Sequence, residues 1–403
     1  MPNEAGIGDI RATFIRETTP GSTPTDPTWL LYSDELESVG EWSPNANLAV
    51  RRKVGSPDAV GFSIGAEDHE MAIAYKLQRW LTQATAVPLD ALADGLLRNA
   101  SGYIINRHSV LIRQKLIAPA GTQVAGSRIY TYGTGGIFAS ASLSGDPSTS
   151  EPVIAAGTYR FEKMRSLRID QMLASGTLTV VSSDAADTTQ SVVLEADGGS
   201  PTETLALNGT TPVVGVTSFT TLDSIRLSAA CVGDVTVTFT SGGEVCCVVL
   251  GSASHQGIAG DLGIPSLGSG SFPSALGTAF EHILGDTIQK GGASIETNVM
   301  ALAINVANNI QADPVTHQKS KVLSEGDREV TVNATLFSET GSHDRVVDHL
   351  KATAGDITWA MTGGTITCSG SVLTGPGGRK YEKGAATMRR DNVFTSQGLT
   401  ISP

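Results

Sequence analysis

Apolar and polar positions alternate with a period of two along much of this chain. Val60, Phe62 and Ile64 stand between Gly61 and Ser63, a strand pattern. From residue 103 to 161 similar runs are separated by glycine-rich turns such as GTGG at 133–136. Strand patterns return at 294–310, 356–361 and 364–373. They also cover REVTVNATLF (328–337), where Val330, Val332, Ala334 and Leu336 alternate. Elsewhere the period is helical. Asp68 can cap a helix over 68–84 whose Ile73, Leu77, Trp80, Leu81 and Ala84 form one apolar face. A shorter helical piece covers 89–98. Ser274 caps a helix bearing Leu276, Ala279, Phe280, Ile283 and Leu284, and Ser342 caps one bearing Val346, Val347 and Leu350.

Residues 160–250 have a different texture. Short β-branched runs recur every eight to twelve residues: TLTVV (177–181), SVVLEA (191–196), TETLAL (202–207), SIRLSA (224–229), DVTVTF (234–239) and EVCCVVL (244–250). Turn material separates them, including DGGSP, NGTTP and SGG, which is the spacing of a small all-β sandwich. Linker-like SGDPSTSEP (144–152) and GSASHQGIAG (251–260) flank it, so it reads as an inserted domain.

The two flanks share an order of elements: polar loop, alternating strand, capped helix, further strands. RRKVGSPDAVGFSIG–AEDHEMAIAYKLQRWL in the first answers to HQKSKVLSEGDREVTVNATLF–SETGSHDRVVDHLKAT in the second. The likeness is one of order, with negligible identity; two unrelated strand–helix pieces are the plainer alternative. The expected organisation is therefore a first domain at 1–158, an inserted sandwich at 159–252 and a second domain at 253–403.

Composition narrows the function. Charged residues make up 17% of the 403 residues and aromatics 5%, with 45 glycines. So much glycine disfavours helical bundles, and so little charge suits a surface covered by other copies of the chain. The net charge of −12 and the absence of a long basic run argue against tight duplex binding. No apolar run reaches the length of a membrane helix, and the first residues lack the pattern of a secretory leader. Cys231, Cys246, Cys247 and Cys368 make no disulfide framework and read as buried free thiols.

Candidate chemistry is sparse. Gly61-Phe62-Ser63-Ile64-Gly65 fits the G-x-S-x-G elbow of serine hydrolases, but the alternation continues past Ser63 where an elbow would turn into a helix. Glu67-Asp68-His69-Glu70 suits an acidic helix start better than a metal site, and His343 and His349 share no face. GPGGRKYEKG (375–384) lacks the G-K-[ST] ending of a phosphate loop. No catalytic, cofactor or metal residue stands out. The basic pieces Arg51-Arg52-Lys53, Lys319 with Lys321, and Arg389-Arg390 suit contacts with acidic patches on another subunit.

Together these parts resemble the major tail tube proteins of tailed bacteriophages, in the long-tailed manner. The likeness lies in the loop before Val60, DAVGFSIG with EDHEMAIAYKLQRWL, and again in REVTVNATLF with SHDRVVDHLKAT. The run 191–225, with T-E-T-L-x-L-N-G-T-T, is similar to sandwich modules of phage structural proteins. The resemblance implies a mainly β fold with a few flanking helices: two tube-type β-sandwich or half-barrel units plus an inserted Ig-like sandwich. It implies a non-enzymatic virion protein, assembled in the host cytoplasm, whose stacked rings form the tail tube used in genome ejection. Three duplicated chains would close a pseudo-sixfold ring, favoured here over six chains. Genomic DNA and a tape measure protein would pass through an acidic lumen, and other tail proteins would meet the ends. Arg51, Arg52, Lys53, Lys319 and Lys321 would contact the next ring. Another capsid, decoration, baseplate or adhesive virion protein is the alternative, and a hydrolase using Ser63 a more distant one.

Overall fold

Two long strands, each bent at a glycine, organise the fold seen in the computed structural model. The structure describes residues 6–24, 27–40, 48–52, 59–64, 67–78, 90–99, 101, 104–117, 126–146, 152–171, 174–196, 199–254, 262–265, 286–295, 299–314, 321–337, 354–361, 364–376 and 389–402. The first unit has strands β1 (Gly6–Arg16), β2 (Leu30–Leu31), β3 (Leu36–Val39), β4 (Leu48–Arg52), β5 (Ala59–Ile64) and β6 (His69–Lys76). A short helix α1 (Ala91–Gly95) precedes β7 (His108–Ile117), β8 (Arg128–Gly145), β9 (Ile154–Phe161) and β10 (Lys163–Ile169). The sandwich comprises β11 (Leu178–Ser182), β12 (Ser191–Glu195), β13 (Thr202–Ala206), β14 (Val213–Val214), β15 (Ser224–Leu227), β16 (Val235–Phe239) and β17 (Val245–Val249). The second unit has β18 (Thr287–Lys290), β19 (Ala293–Ser294), β20 (Val299–Ala307), β21 (Gln311–Pro314), β22 (Lys321–Ser324) and β23 (Glu329–Phe337). It ends with β24 (Gly355–Met361), β25 (Gly364–Pro376), β26 (Arg389–Ser396) and β27 (Gly398–Ser402). The protein is mainly β, as its periodicity predicts.

The first half of β8 pairs with β7 and β10, and its second half with β9 and β20. The glycines of GTGG sit at the changeover, inside one continuous strand where the sequence suggests a turn between two. Gly135 has φ +68°, and a Cβ there would lie 2.7 Å from the Glu162 side chain, so only glycine fits without strain. β25 repeats the device. Its first half pairs with β24 and β27 and its second with β26; Gly370, at φ +58°, would meet Gln397 at 2.7 Å. Gly135→Ala and Gly370→Ala are each expected to lose about 1–2 kcal/mol from the left-handed backbone alone. Urea unfolding checks this, and an unchanged midpoint for both would contradict it.

The correspondence extends to every described strand of the two units. β7–β8–β9–β10 answers to β24–β25–β26–β27, β6 to β23, β3 to β20, β1–β2 to β18–β19, and the hairpin β4–β5 to β21–β22, each with matching partners. Irregularities coincide as well. The β8/β9 ladder slips between Phe138 and Ser140, and the β25/β26 ladder between Leu373 and Gly375, 235 positions later (373 − 138 = 235). β3/β6 slips between Leu36 and Ser38, and β20/β23 between Val299 and Ala301. Shared register with little shared sequence is what a duplicated unit retains, because hydrogen-bond geometry constrains it more tightly than side chains do.

The expected helix over 68–84 is not formed where it is described: residues 69–76 are β6. Met71, Ile73 and Tyr75 point into the core while Glu70, Ala72 and Ala74 point out. Eight residue pairs with β9 outweigh the helical spacing, as tertiary pairing commonly outweighs local preference. The rest of that segment from residue 79 lies outside the described residues, as do the expected helices beginning at Ser274 and Ser342. Of the piece at 89–98, only α1 is helical, capped by Asp90. The repeat is also registered differently from the sequence expectation. Residues 59–64 answer to β22, whereas REVTVNATLF answers to β6.

One hydrophobic core runs through both units, from Phe14, Tyr75 and Phe138 to Val332, Trp359 and Phe394. A second core fills the sandwich between sheet β14-β11-β16-β17 and sheet β13-β12-β15, and includes Trp29, Leu111, Tyr130, Leu167 and Ile169 of the first unit. The sandwich is thus packed on that unit. β9 and β10, which meet near the expected boundary at 159, both pair with β8, and the sandwich strands begin at Leu178. All four cysteines are free and buried.

Candidate functional site

The junction between the units is the most constructed surface in the molecule. β20 pairs with β23 of its own unit along one edge and with the second half of β8 along the other, from Leu302 opposite Gly145 to Ala307 opposite Ser140. Asn308, 1% exposed, closes the ladder. Its backbone N–H donates to the Ala139 carbonyl and its Nδ2 to the Phe138 carbonyl, both at 2.8 Å. Arg98 Nη2 donates to Asn308 Oδ1 at 2.9 Å, Arg160 Nη1 to the Ile310 carbonyl at 2.8 Å, and Ile104 N–H to Glu325 at 2.8 Å. Arg328 lies beside this lock, and burial, with Arg98 close by, pushes its guanidinium down to about 10. An asparagine and an arginine in polar loops carry no periodic signal, so sequence inspection passes over them.

The counterparts of the two joined strands stand at the outer ends of the double unit. Among the described residues, β3 pairs only with β6, and the second half of β25 only with β26. Among the described residues, these two strands are the counterparts of the pair that the internal junction joins.

The sheet face away from the core carries a shallow groove across β3, β6, β9, β8, β20 and β23. Ala72, Ala74, Ser140, Ser142, Ala156, Thr158, Asn305 and Thr331 line it, and Glu329 is the only charged residue among its described lining. Charges gather towards its ends: Glu70 stands 3.9 Å from Arg160 at one, and Lys76 pairs with Glu35 at 2.9 Å and Glu37 at 3.6 Å at the other.

The basic residues singled out by sequence fall on counterpart hairpins. Arg51 and Arg52 end β4, opposite Gly61 and Ala59, and Lys321 begins β22, opposite Pro314. Lys53 and Lys319 lie outside the described residues. Arg389 and Arg390 open β26, opposite Phe337 and Leu336.

Ser63 lies within β5 opposite Ala49, and the next described element is strand β6, so a strand-to-helix elbow does not follow it. Glu67 reaches His69 at 3.4 Å, and among the described residues no group of three acidic, histidine or cysteine side chains could hold a metal ion. The glycine-rich 377–384, His343 and His349 lie outside the described residues. A histidine–aspartate pair unseen in the sequence lies in the core. His108 bonds Asp94 through Nε2 and Tyr159 through Nδ1, both at 2.8 Å, and Tyr32 donates to Tyr159 at 3.1 Å. Burial raises the Asp94 pKa, but bonds from His108 and Arg16 outweigh it and the net shift is downward. His108 is fully buried, which keeps substrates from it and makes the set a packing network.

At the sandwich, Tyr130 donates to Asp223 at 3.0 Å and Arg128 Nε stands 2.6 Å from the same oxygen. Gln171 and the Leu222 backbone exchange two further bonds. No protein-family model matches the chain, and no curated protein matches it.

Proposed function

We propose that this is a structural protein whose copies join head to tail into closed rings of three, and that the rings stack into a virion tail tube through which DNA passes. The observation that carries the proposal is the duplicated unit whose internal junction joins β20 to β8, while the counterpart strands β3 and β25 stand at its two ends. A contact that joins unlike edges is heterologous, and it closes into a ring when its rotation divides a full turn. Three chains then supply six similar units. Edge pairing would also remove the exposed strand edges that otherwise invite aggregation.

The groove face would form the bore. Its alanines, serines and threonines offer a polyanion neither a salt bridge nor a large apolar patch. Passage without adhesion would then rest on the shortage of charge, in place of the acidic wall that the resemblance implies. A tape measure protein would occupy the bore before the genome, and other tail proteins would meet the ends. The packed sandwich would stand outside the ring. No helix among the described residues is long and apolar enough to cross a membrane.

Stacking is assigned to the two hairpins. Six basic turns per ring would face the rim bearing Glu35 and Glu37 on the next ring, an arrangement that sets register. Reversing Arg51, Arg52, Lys53, Lys319 and Lys321 to glutamate is expected to leave rings intact and abolish tubes in negative-stain images. Tubes of normal length from that variant would remove the hairpins from the stacking contact. A second reading, an adhesive or decorating virion protein, draws on the sandwich, where Val216 is 90% exposed and Val214 54%. It would give discrete oligomers without tubes.

A further inference from the structure

Arg328 carries a charge that the surrounding side chains do not answer. Its Nε and Nη2 are buried, with no hydrogen-bond partner among the described residues. These two nitrogens share one edge of the planar guanidinium, the edge that meets a carboxylate or phosphate with two parallel bonds. Arg16 uses that same edge on Asp94, through Nε and Nη2. The groups that act most on the Arg328 charge are Arg98, which repels it, and the Cys368 thiol. Burial pushes that thiol up to about 12, so it stays neutral and supplies no counter-charge. Arg328 lines a polar hollow of about 550 Å³ beside the junction, together with Arg98, Ser101, Asn309 and Gln311. Two carboxylates stand on its wall. Glu325 accepts the Ile104 N–H at 2.8 Å and offsets the charge of Arg98, while Asp327 is exposed. Asn309 has φ +48° and its Nδ2 donates to the Asp327 carbonyl at 2.7 Å. Left-handed backbone outside glycine is uncommon and gathers at ligand clamps.

We propose that this hollow is an oxyanion site, in which Arg328 holds a phosphate or carboxylate group side-on through Nε and Nη2. The oxyanion supplies the counter-charge that a buried guanidinium needs. Arg98 and Ser101 belong to the first unit and Asn309 and Arg328 to the second, so a group bound among them fastens the units across their junction. Glu325 and Asp327 on the wall repel a polyphosphate and leave room for a single singly or doubly charged group. That group can arrive as a free ion or on an acidic side chain of a second copy. The site does not depend on the ring reading above.

Inorganic phosphate is the probe, added to the full chain at fixed ionic strength with chloride as the control. The urea midpoint of dilute wild type is expected to rise and saturate, with a dissociation constant of about 1 mM, the affinity that two charge-assisted hydrogen bonds supply. Arg328→Met fills similar space without the charge. It is expected to be at least as stable as wild type in chloride, and to ignore phosphate, because a buried charge without a partner costs stability. Arg328→Lys keeps the charge but loses the fork, and should need about tenfold more phosphate. A wild type that gains stability with its own concentration, and loses that gain in phosphate and in Arg328→Met, places the group on a second copy and supports the site. An equal shift in wild type and Arg328→Met, or no phosphate response at any protein concentration, overturns it. Should Arg328→Met fail to fold, calorimetric titration of phosphate into native wild type and Arg328→Lys replaces it. Weaker binding to Arg328→Lys supports the site, and equal isotherms or no heat from wild type overturn it.

Discussion

Asp94→Ala is expected to destabilise the monomer by about 3–5 kcal/mol, the usual loss when one member of a buried charge network is removed. The carboxylate sits on α1 and is 2% exposed. It bonds His108 and Asn106 at 2.8 Å each and Arg16 Nε at 3.1 Å. Truncation strands the buried His108 and Asn106 donors in the core beside Phe14, Phe138 and Tyr159, whose rings pack around His108, while the half-exposed Arg16 can turn to water. Such a loss is a large part of the stability of an ordinary domain. Asp94→Asn, which keeps the shape and drops the charge, should lose less. The pH dependence follows from the downward shift of the Asp94 pKa. A carboxyl whose folded pKa is depressed stabilises the fold above its unfolded value, and that contribution fades as pH falls through the folded value. Urea midpoints from neutral to strongly acidic pH should therefore converge for wild type and Asp94→Asn at the acid end. A loss below 1 kcal/mol for Asp94→Ala at neutral pH would show that the network is not holding the first unit.

The second large effect concerns the sandwich. Asp223 is fully buried where the sandwich meets the first unit, and it joins Tyr130 and Arg128. Asp223→Ala removes the carboxylate opposite a buried guanidinium, again about 3–5 kcal/mol. The loss should be local. Hydrogen exchange is expected to accelerate in β10, β12 and β15 and to stay slow in β20 and β23, which share no core with the sandwich. Uniform acceleration across both units would mean that the sandwich and body unfold as one cooperative block.

How far the fold was legible in sequence depended on where each element finds its partners. The sandwich strands were legible because β-branched residues alternate cleanly in each, even where the partner is far along the chain, as for Leu178 of β11 opposite Phe239 of β16 (239 − 178 = 61). β6 was misread because Ile73 and Leu77 satisfy a helical spacing and a strand spacing together, and only pairing with β9, some eighty residues away (154 − 76 = 78), decides between them. GTGG reads as a turn because glycine marks turns far more often than it marks the bend of a continuous strand. Duplication was visible as an order of elements, yet its register was hidden, since ladder slips at Phe138 and Leu373 leave no trace in residue type. The basic pieces at 51–53 and 319–321 were visible as short runs of charge, but the hairpins β4–β5 and β21–β22 were not, since the segment before Val60 reads as a polar loop. The Asn308 lock was not, because its meaning comes from the carbonyls it meets.

The most direct test of the central claim is the mass of the assembled ring, taken by mass photometry and checked by negative-stain class averages. Closed particles of three 41.8 kDa chains with six similar inner lobes are the expected result. Rings of six chains would contradict the paired-unit closure, and a chain still monomeric after seeding with tail tips would contradict the tube itself.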